Sequence, residues 1–207
     1  YTYAWSNSAT TQNTSVSPTT TTTYTVTITD SKGCTGTDQV VVTVNPKPTA
    51  NAGADQAICN GATASLSASA TGGTSPYTYV WSSGASTANT TVNPTVTTTY
   101  TVTVTDNKGC VDTHNIVLTV NPKPNAFAGA DQAICAGSSA TLTASGTGGT
   151  SPYSYSWSNS ATTASTTVSP SVATTYTVTV TDSKGCTATD QVIVNINPNL
   201  NANAGAD

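Results

Sequence analysis

The chain has 207 residues, 7% of them charged, with five Lys, nine Asp and one His giving a formal net charge of −4. Without a basic patch to neutralise phosphates, nucleic acid is excluded as a partner. No apolar run reaches the ~20 residues that span a bilayer as a helix, so no membrane span is expected in these residues. Arg, Glu and Met are absent and Thr dominates, which is poor material for helices and good material for strands joined by polar turns.

The chain repeats itself. Trp5, Trp81 and Trp157 are 76 residues apart, as are Tyr24, Tyr100 and Tyr176, and Cys34, Cys110 and Cys186. "DQAIC" at 55–59 recurs at 131–135, and "NANAGAD" at 201–207 matches the lead-in to both. The expected organisation is a partial repeat at 1–48, whole repeats at 49–124 and 125–200, and the start of another at 201–207. A period of 76 residues is too long for a solenoid turn and fits a small domain, so beads on a string are expected. The chain is read as part of a longer protein. The junctions "NPKPTANAGAD" (45–55) and "NPKPNAFAGAD" (121–131) carry two prolines each and are expected to be extended, semi-rigid connections.

Within a repeat the apolar residues alternate with period two, the signature of strands with one face buried. In chain order, "ATASLSASA" (62–70) puts Ala64, Leu66 and Ala68 on one face. "YTYVW" (77–81) puts Tyr77, Tyr79 and Trp81 together. A weaker strand surrounds Val92. "YTVTVTD" (100–106) separates Tyr100, Val102 and Val104 from Thr101, Thr103 and Thr105, and "NIVLTV" (115–120) aligns Ile116, Leu118 and Val120. "GGTSP" (72–76), "NP" (93–94) and "DNKG" (106–109) are turn signals. Six or seven short strands per repeat predict an all-β fold of tandem Ig-like β-sandwiches. Trp5, Trp81 and Trp157 with Tyr24, Tyr100 and Tyr176 are the expected core.

"DNKG" between alternating strands predicts a tight hairpin, with the Asp side chain capping the turn and Gly109 taking a positive φ. The same reading covers Asp30 and Asp182. Cys110 then opens the last strand. Each whole repeat holds one "DQAIC" cysteine and one "KGC" cysteine, which predicts disulfides Cys59–Cys110 and Cys135–Cys186 and leaves Cys34 without a partner in this sequence. Zinc is disfavoured because the cysteines are widely spaced and the only His, His114, is replaced by Asp38 and Asp190 in the other repeats. A bridge closing a loop of roughly 50 residues contributes about 4 kcal/mol in the chain-entropy description. Disulfides imply an oxidising, extracellular setting.

"NAGADQAIC" leading to "SPYTYVW" and on to "TTTYTVTVTDNKGC" resembles the PKD-like and Ig-like repeats of very large bacterial surface proteins, above all the type IX-exported adhesins of gliding bacteria. The resemblance covers the whole chain. It implies Ig-like sandwiches that serve as a non-enzymatic stalk or adhesive fibre at the cell surface. The "W-x-F-G-D-G" segment common in PKD domains is missing, the Trp being followed by "SNSATT" (6–11, 158–163) or "SSGAST" (82–87), so the looser Ig-like assignment is preferred.

Few groups could carry chemistry, and no catalytic set converges. No cofactor or metal is expected: Asp55, Asp131 and Asp207 are read first as ordering the junction loops, and only in the alternative reading as ligands of a Ca²⁺ ion. Tyr77, Tyr79 and Trp81 are core by parity and a sugar-stacking platform only in the alternative reading. His114 is read as a surface residue of the last strand. Asn13 and Asn89 match the glycosylation sequon. The partners expected are neighbouring repeats of the same chain, then surface glycans or like chains in a laterally associated filament.

Overall fold

A computed structural model describes residues 1–199, and those residues contain strands and turns and no helix. The first repeat contributes β1 (Thr2–Trp5), β2 (Thr22–Thr29) and β3 (Thr35–Val42), an antiparallel sheet in the order β1-β2-β3. The second contributes β4 (Pro48–Asn51), β5 (Gln56–Cys59), β6 (Ala64–Ser67), β7 (Ser69–Gly72), β8 (Thr78–Trp81), β9 (Asn89–Val92), β10 (Thr98–Thr105) and β11 (Val111–Asn121). The third repeats this as β12 (Pro124–Phe127), β13 (Gln132–Cys135), β14 (Ala140–Thr143), β15 (Ser145–Gly148), β16 (Ser154–Trp157), β17 (Ser165–Val168), β18 (Thr174–Thr181) and β19 (Thr187–Asn197).

In the third repeat one sheet runs β13-β19-β18-β16, and the opposing layer is made by the pairs β12-β15 and β14-β17. The entering chain is therefore shared between layers. β12 pairs antiparallel with β15, whereas β13 crosses to pair parallel with the end of β19. The same order, β5-β11-β10-β8 with β4-β7 and β6-β9, recurs in the second repeat. This is the arrangement of an Ig-like sandwich with its Trp on the strand after the first sheet crossing. The chain is all-β, built of tandem Ig-like β-sandwiches.

The described chain groups into two compact units. One comprises Tyr1–Gly53, Ser67–Thr90 and Thr101–Asn115, and the other comprises Ala54–Leu66, Thr91–Tyr100 and the residues from Ile116 onward. The first unit holds the β1-β2-β3 sheet, the β4-β7 pair, and β8 against the second half of β10. The second holds the strands β12 to β19, together with β5 paired to the end of β11.

The core of the third repeat follows from alternation. Leu142, Val178, Val180, Val192 and Val194 are fully buried and cluster with Trp157, Val168 and the alanines 128, 140 and 144. Small alanines on β14 (Ala140) and just after β12 and β14 (Ala128, Ala144) let the two layers approach around the large indole. In the second repeat Leu66, Trp81, Val102, Val104, Ile116 and Leu118 are buried, as their parity predicts.

Three expectations need correction. Trp5 is only half-buried, as are Tyr24, Tyr100 and Tyr176. The tyrosines begin their strands, where Tyr176 packs at the margin of the cluster. Trp5 lacks its cover because Leu142, which clusters with Trp157, has no counterpart within residues 1–48. The proline-containing junctions are extended, in keeping with expectation, and part of each joins a sheet: Pro48–Asn51 and Pro124–Phe127 are strands, with proline at the first position, where no ladder donor is needed. The predicted strand at 62–70 is broken at Ala68, giving β6 and β7 in different pairs.

The third correction concerns the cysteines. Cys59 is bridged to Cys186, with Cα atoms 5.5 Å apart and 127 residues between them in sequence. The expected pairs Cys59–Cys110 and Cys135–Cys186 do not form, and Cys34, Cys110 and Cys135 are free thiols. Strand register gives the reason. β13 pairs parallel with the last residues of β19, placing Cys135 opposite Asn197, whereas Cys186 precedes Thr187 at the other end of that strand. The strand has 11 residues, so at ~3.3 Å per residue the two cysteines stand on the order of 35 Å apart along it, far beyond the ~4.4–6.8 Å that a bridge spans. Cys59 lies opposite Asn121 on β11 in the same way, with Cys110 before Val111.

Candidate functional site: the aspartate-pinned turns and the disulfide

Each "KGC" hairpin turn is built around one carboxylate. Asp182 is 4% exposed, and its Oδ1 accepts the N–H groups of Lys184 (2.9 Å) and Cys186 (2.8 Å). Asp182 N–H donates to the Cys186 carbonyl and Gly185 N–H to the Asp182 carbonyl, closing the turn. Oδ2 reaches out of the hairpin to accept Thr150 N–H at 2.9 Å. Ser183 N–H reinforces this link by donating to the Thr150 carbonyl. Asp106 repeats the arrangement with Lys108 (2.8 Å), Cys110 (2.9 Å) and Thr74 (2.8 Å). Asp30 makes the two local bonds, to Lys32 and Cys34.

Burial pushes the Asp106 and Asp182 carboxyls up, and the three backbone N–H donors at each, aided by Lys108 or Lys184, outweigh it. Both carboxyls are therefore held below the usual carboxylate range, the expected result for a carboxylate that is the sole acceptor of several amides. The turn capping expected from the sequence is present, and the long-range bond to the "GGTSP" loop is an addition that local pattern could not reveal. That loop has no room to spare. A Cβ on Gly149 (φ +59°) would lie 2.7 Å from Asp182 Oδ2 and 2.9 Å from Pro124 N.

The remaining polar candidates are also committed to backbone. Asp55 Oδ1 accepts Val117 N–H and Asp131 Oδ1 accepts Ile193 N–H, both at 2.8 Å, which straps the junction loop onto the last strand. Asp207 lies outside the described residues. Among the described residues no three His, Cys, Asp or Glu side chains gather as a metal-ligand cluster. His114 is more than a surface residue: its Nδ1 accepts Ala52 N–H at 3.2 Å. Its counterpart Asp190 accepts Ala128 N–H at 2.8 Å, so imidazole and carboxylate fill one role. Asp112 Oδ2 accepts Ala50 N–H, and this bond, against some burial, lowers its pKa.

Trp81 and Trp157 are buried, and the indole Nε1–H of Trp5, Trp81 and Trp157 donates to the carbonyl of Thr11, Thr87 and Thr163 at 3.1 Å. Tyr77 and Tyr153 donate their hydroxyls to the Gly72 and Gly148 carbonyls. Trp81 and Trp157 are thus spent in the core, whereas Tyr77, Tyr79, Tyr153 and Tyr155 are half-buried beside them. Asn13 and Asn89 are both exposed, and Asn89 Oδ1 accepts the Ser67 hydroxyl across β6-β9.

These features define a tandem Ig-like repeat protein whose ionisable groups hold its own backbone. Within the chain, residues 52–86 and 130–162 match the SprB repeat model, about a third of the sequence. The match bears out the resemblance to tandem repeats of a bacterial surface adhesin. No curated protein matches the chain. Among solved structures, similar ones include the three titin domains I67–I69 in an E-to-A variant, at 11% identity and TM-score 0.42, covering 94% of this chain and 87% of that one. The N-terminal eight Ig domains of Down Syndrome Cell Adhesion Molecule match at 13% identity and TM-score 0.46, over 95% of this chain and 33% of that one. The three N-terminal domains of the bacteriophage RB49 Highly Immunogenic Outer Capsid protein match at 13% and 0.45, over 94% and 88%.

Proposed function

We propose that the chain is a segment of an extracellular stalk or fibre in a large bacterial surface adhesin, with no catalytic role. In this reading the 76-residue period is the unit of construction. Residues 49–124 and 125–200 form whole repeats, and residues 1–48 and 201–207 are parts of further ones. The observation that carries the proposal is the reuse of one framework: Asp106 and Asp182, Trp81 and Trp157, His114 and Asp190 make the same bonds in successive repeats. A protein selected for reach multiplies a stable unit, and its polar groups serve the unit rather than a substrate. The SprB repeat match supports a cell-surface location.

The test is antibody against residues 1–207 applied to intact cells of the source bacterium. Labelling without permeabilisation, with antibody fragments reducing attachment of cells to a surface, is the expected result. Labelling that requires permeabilised cells overturns the proposal.

A further inference from the structure

The three free cysteines stand in the same local settings as the two that are bridged. Cys34 and Cys110 follow the same aspartate-pinned turn as Cys186, with Asp Oδ1 accepting the cysteine N–H at 2.8, 2.9 and 2.8 Å respectively. Cys135 ends β13 opposite Asn197 as Cys59 ends β5 opposite Asn121. What differs is cover. Cys186 is fully buried while Cys110 is half-buried and Cys34 exposed, and Cys59 is half-buried while Cys135 is exposed. The bridged cysteine of each kind is more covered than its free counterparts. The bridge joins the "AIC" cysteine of one repeat to the "KGC" cysteine of the next, 127 residues on. A partner at that separation falls outside residues 1–207 for each of Cys34, Cys110 and Cys135.

We propose that Cys59–Cys186 is one rung of a directional disulfide ladder, in which the "AIC" cysteine of every repeat is bonded to the "KGC" cysteine of the following repeat of the same chain. Cys135 then bonds forward, and Cys110 and Cys34 bond backward, each to a repeat of this type. Formation proceeds by thiol–disulfide exchange with a disulfide oxidant. One cysteine thiolate attacks the oxidant and expels a thiolate. The second cysteine thiolate attacks the mixed disulfide and expels the other. The oxidant gains two electrons and is released as a dithiol with the two protons.

The ladder has a mechanical consequence. From Cys110 to Cys135 there are 25 residues, of which β11, β12 and β13 supply 11, four and four already extended. In a continued ladder the shortest covalent path through two repeats is one such segment plus one bridge. At ~3.6 Å per residue it reaches only ~90 Å, against ~550 Å for two whole repeats without bridges. The array would be about sixfold less extensible under tension, even if its sandwiches unfold. The proposal rests on the tandem-repeat reading and on no adhesive activity, so its failure leaves the surface assignment standing.

The test extends the full chain by appending a second copy of residues 49–200 after Leu200, keeping the 76-residue phase. The product is produced under oxidising conditions and its non-reduced peptides are mapped by mass spectrometry. The expected links are Cys59–Cys186, a new one from Cys135 to the appended counterpart of Cys110, and one between the appended counterparts of Cys59 and Cys186. Stretching single molecules of this product should then reach a fully extended length roughly 3.5-fold shorter than after reduction, because the shortest covalent path keeps only about 97 of roughly 350 residue steps at ~3.6 Å each. Links within a repeat, such as Cys59–Cys110 or Cys135–Cys186, overturn the ladder. So does a free Cys135 thiol in the extended chain, or covalent multimers on non-reducing gels, which would place the partner in another molecule.

Discussion

Replacing Gly149 with Ala probes the contact on which the aspartate-pinned turn depends. The backbone at this position has φ +59°, and a Cβ would meet Asp182 Oδ2 at 2.7 Å, Pro124 N at 2.9 Å and Pro124 Cα at 3.2 Å. The left-handed conformation alone costs a residue with a Cβ about 1–2 kcal/mol. Asp182 can swing aside only by giving up Thr150 N–H, a further ~1 kcal/mol. The Pro124 atoms are backbone, and moving them strains the β12-β15 pairing, at about 1 kcal/mol or more. Gly149→Ala should therefore cost about 3–4 kcal/mol. Gly137→Ala is the matched control, because Gly137 has φ +84° and nothing within 4 Å of the added Cβ, so only the conformational cost of about 1–2 kcal/mol applies. Thermal unfolding followed by Trp fluorescence should show a Tm loss of ~8–15 °C for the first variant and ~3–6 °C for the second. Equal losses, or a Gly149→Ala protein as stable as the parent, would refute the close-packing argument.

Four further outcomes are expected. Cys59→Ser opens a loop of 127 residues and should lower stability by ~5 kcal/mol in the chain-entropy description; denaturant titration with a shift below about 1 kcal/mol would show that the bridge does not constrain the unfolded chain. Leu142→Ala, at a fully buried position in the third-repeat cluster, should cost about 3–4 kcal/mol, read in the same titration. Because the Asp106, Asp112 and Asp182 carboxyls are held below their usual range, their contribution is complete above the unfolded carboxylate pKa of about 4 and is lost as pH falls through the lower folded values. Stability should be flat from pH 7 to 5 and decline below about 4, and Asp182→Asn should flatten that decline; an unchanged acid profile contradicts the assignment. Asp190→Ala leaves the buried Ala128 N–H without its acceptor and should cost ~1–2 kcal/mol, whereas Asp190→His should recover much of it at pH 8, as His114 serves Ala52; equal losses in both variants would count against the shared role.

Much of this architecture is legible in the chain itself. Val102 and Val104 alternate with Thr101 and Thr103, and the buried face falls where alternation predicts because a strand's side chains have period two. The "DNKG" and "DSKG" turns are readable for the same local reason: an Asp side chain can reach an N–H two or four residues on, as Asp106 reaches Lys108 and Cys110. The junctions were harder to read. Two prolines suggest a connection, yet Pro48 and Pro124 open strands, since proline is admitted at a strand's first position.

The sequence by itself determined the period, the strand faces, the Trp positions and the turns, because each depends on spacings of a few residues or on simple repetition. The tertiary structure alone decided what lies across the sandwich. Thr150 is 32 residues from the carboxylate that holds it, and no local pattern marks it. Cysteine pairing belongs to the same class. Two cysteines in one repeat look like partners by count, but parallel pairing of β13 with the far end of β19 sets them at opposite ends of an 11-residue strand. Register, which is invisible in composition, turns the expected staple within a repeat into a bond between Cys59 of one repeat and Cys186 of the next.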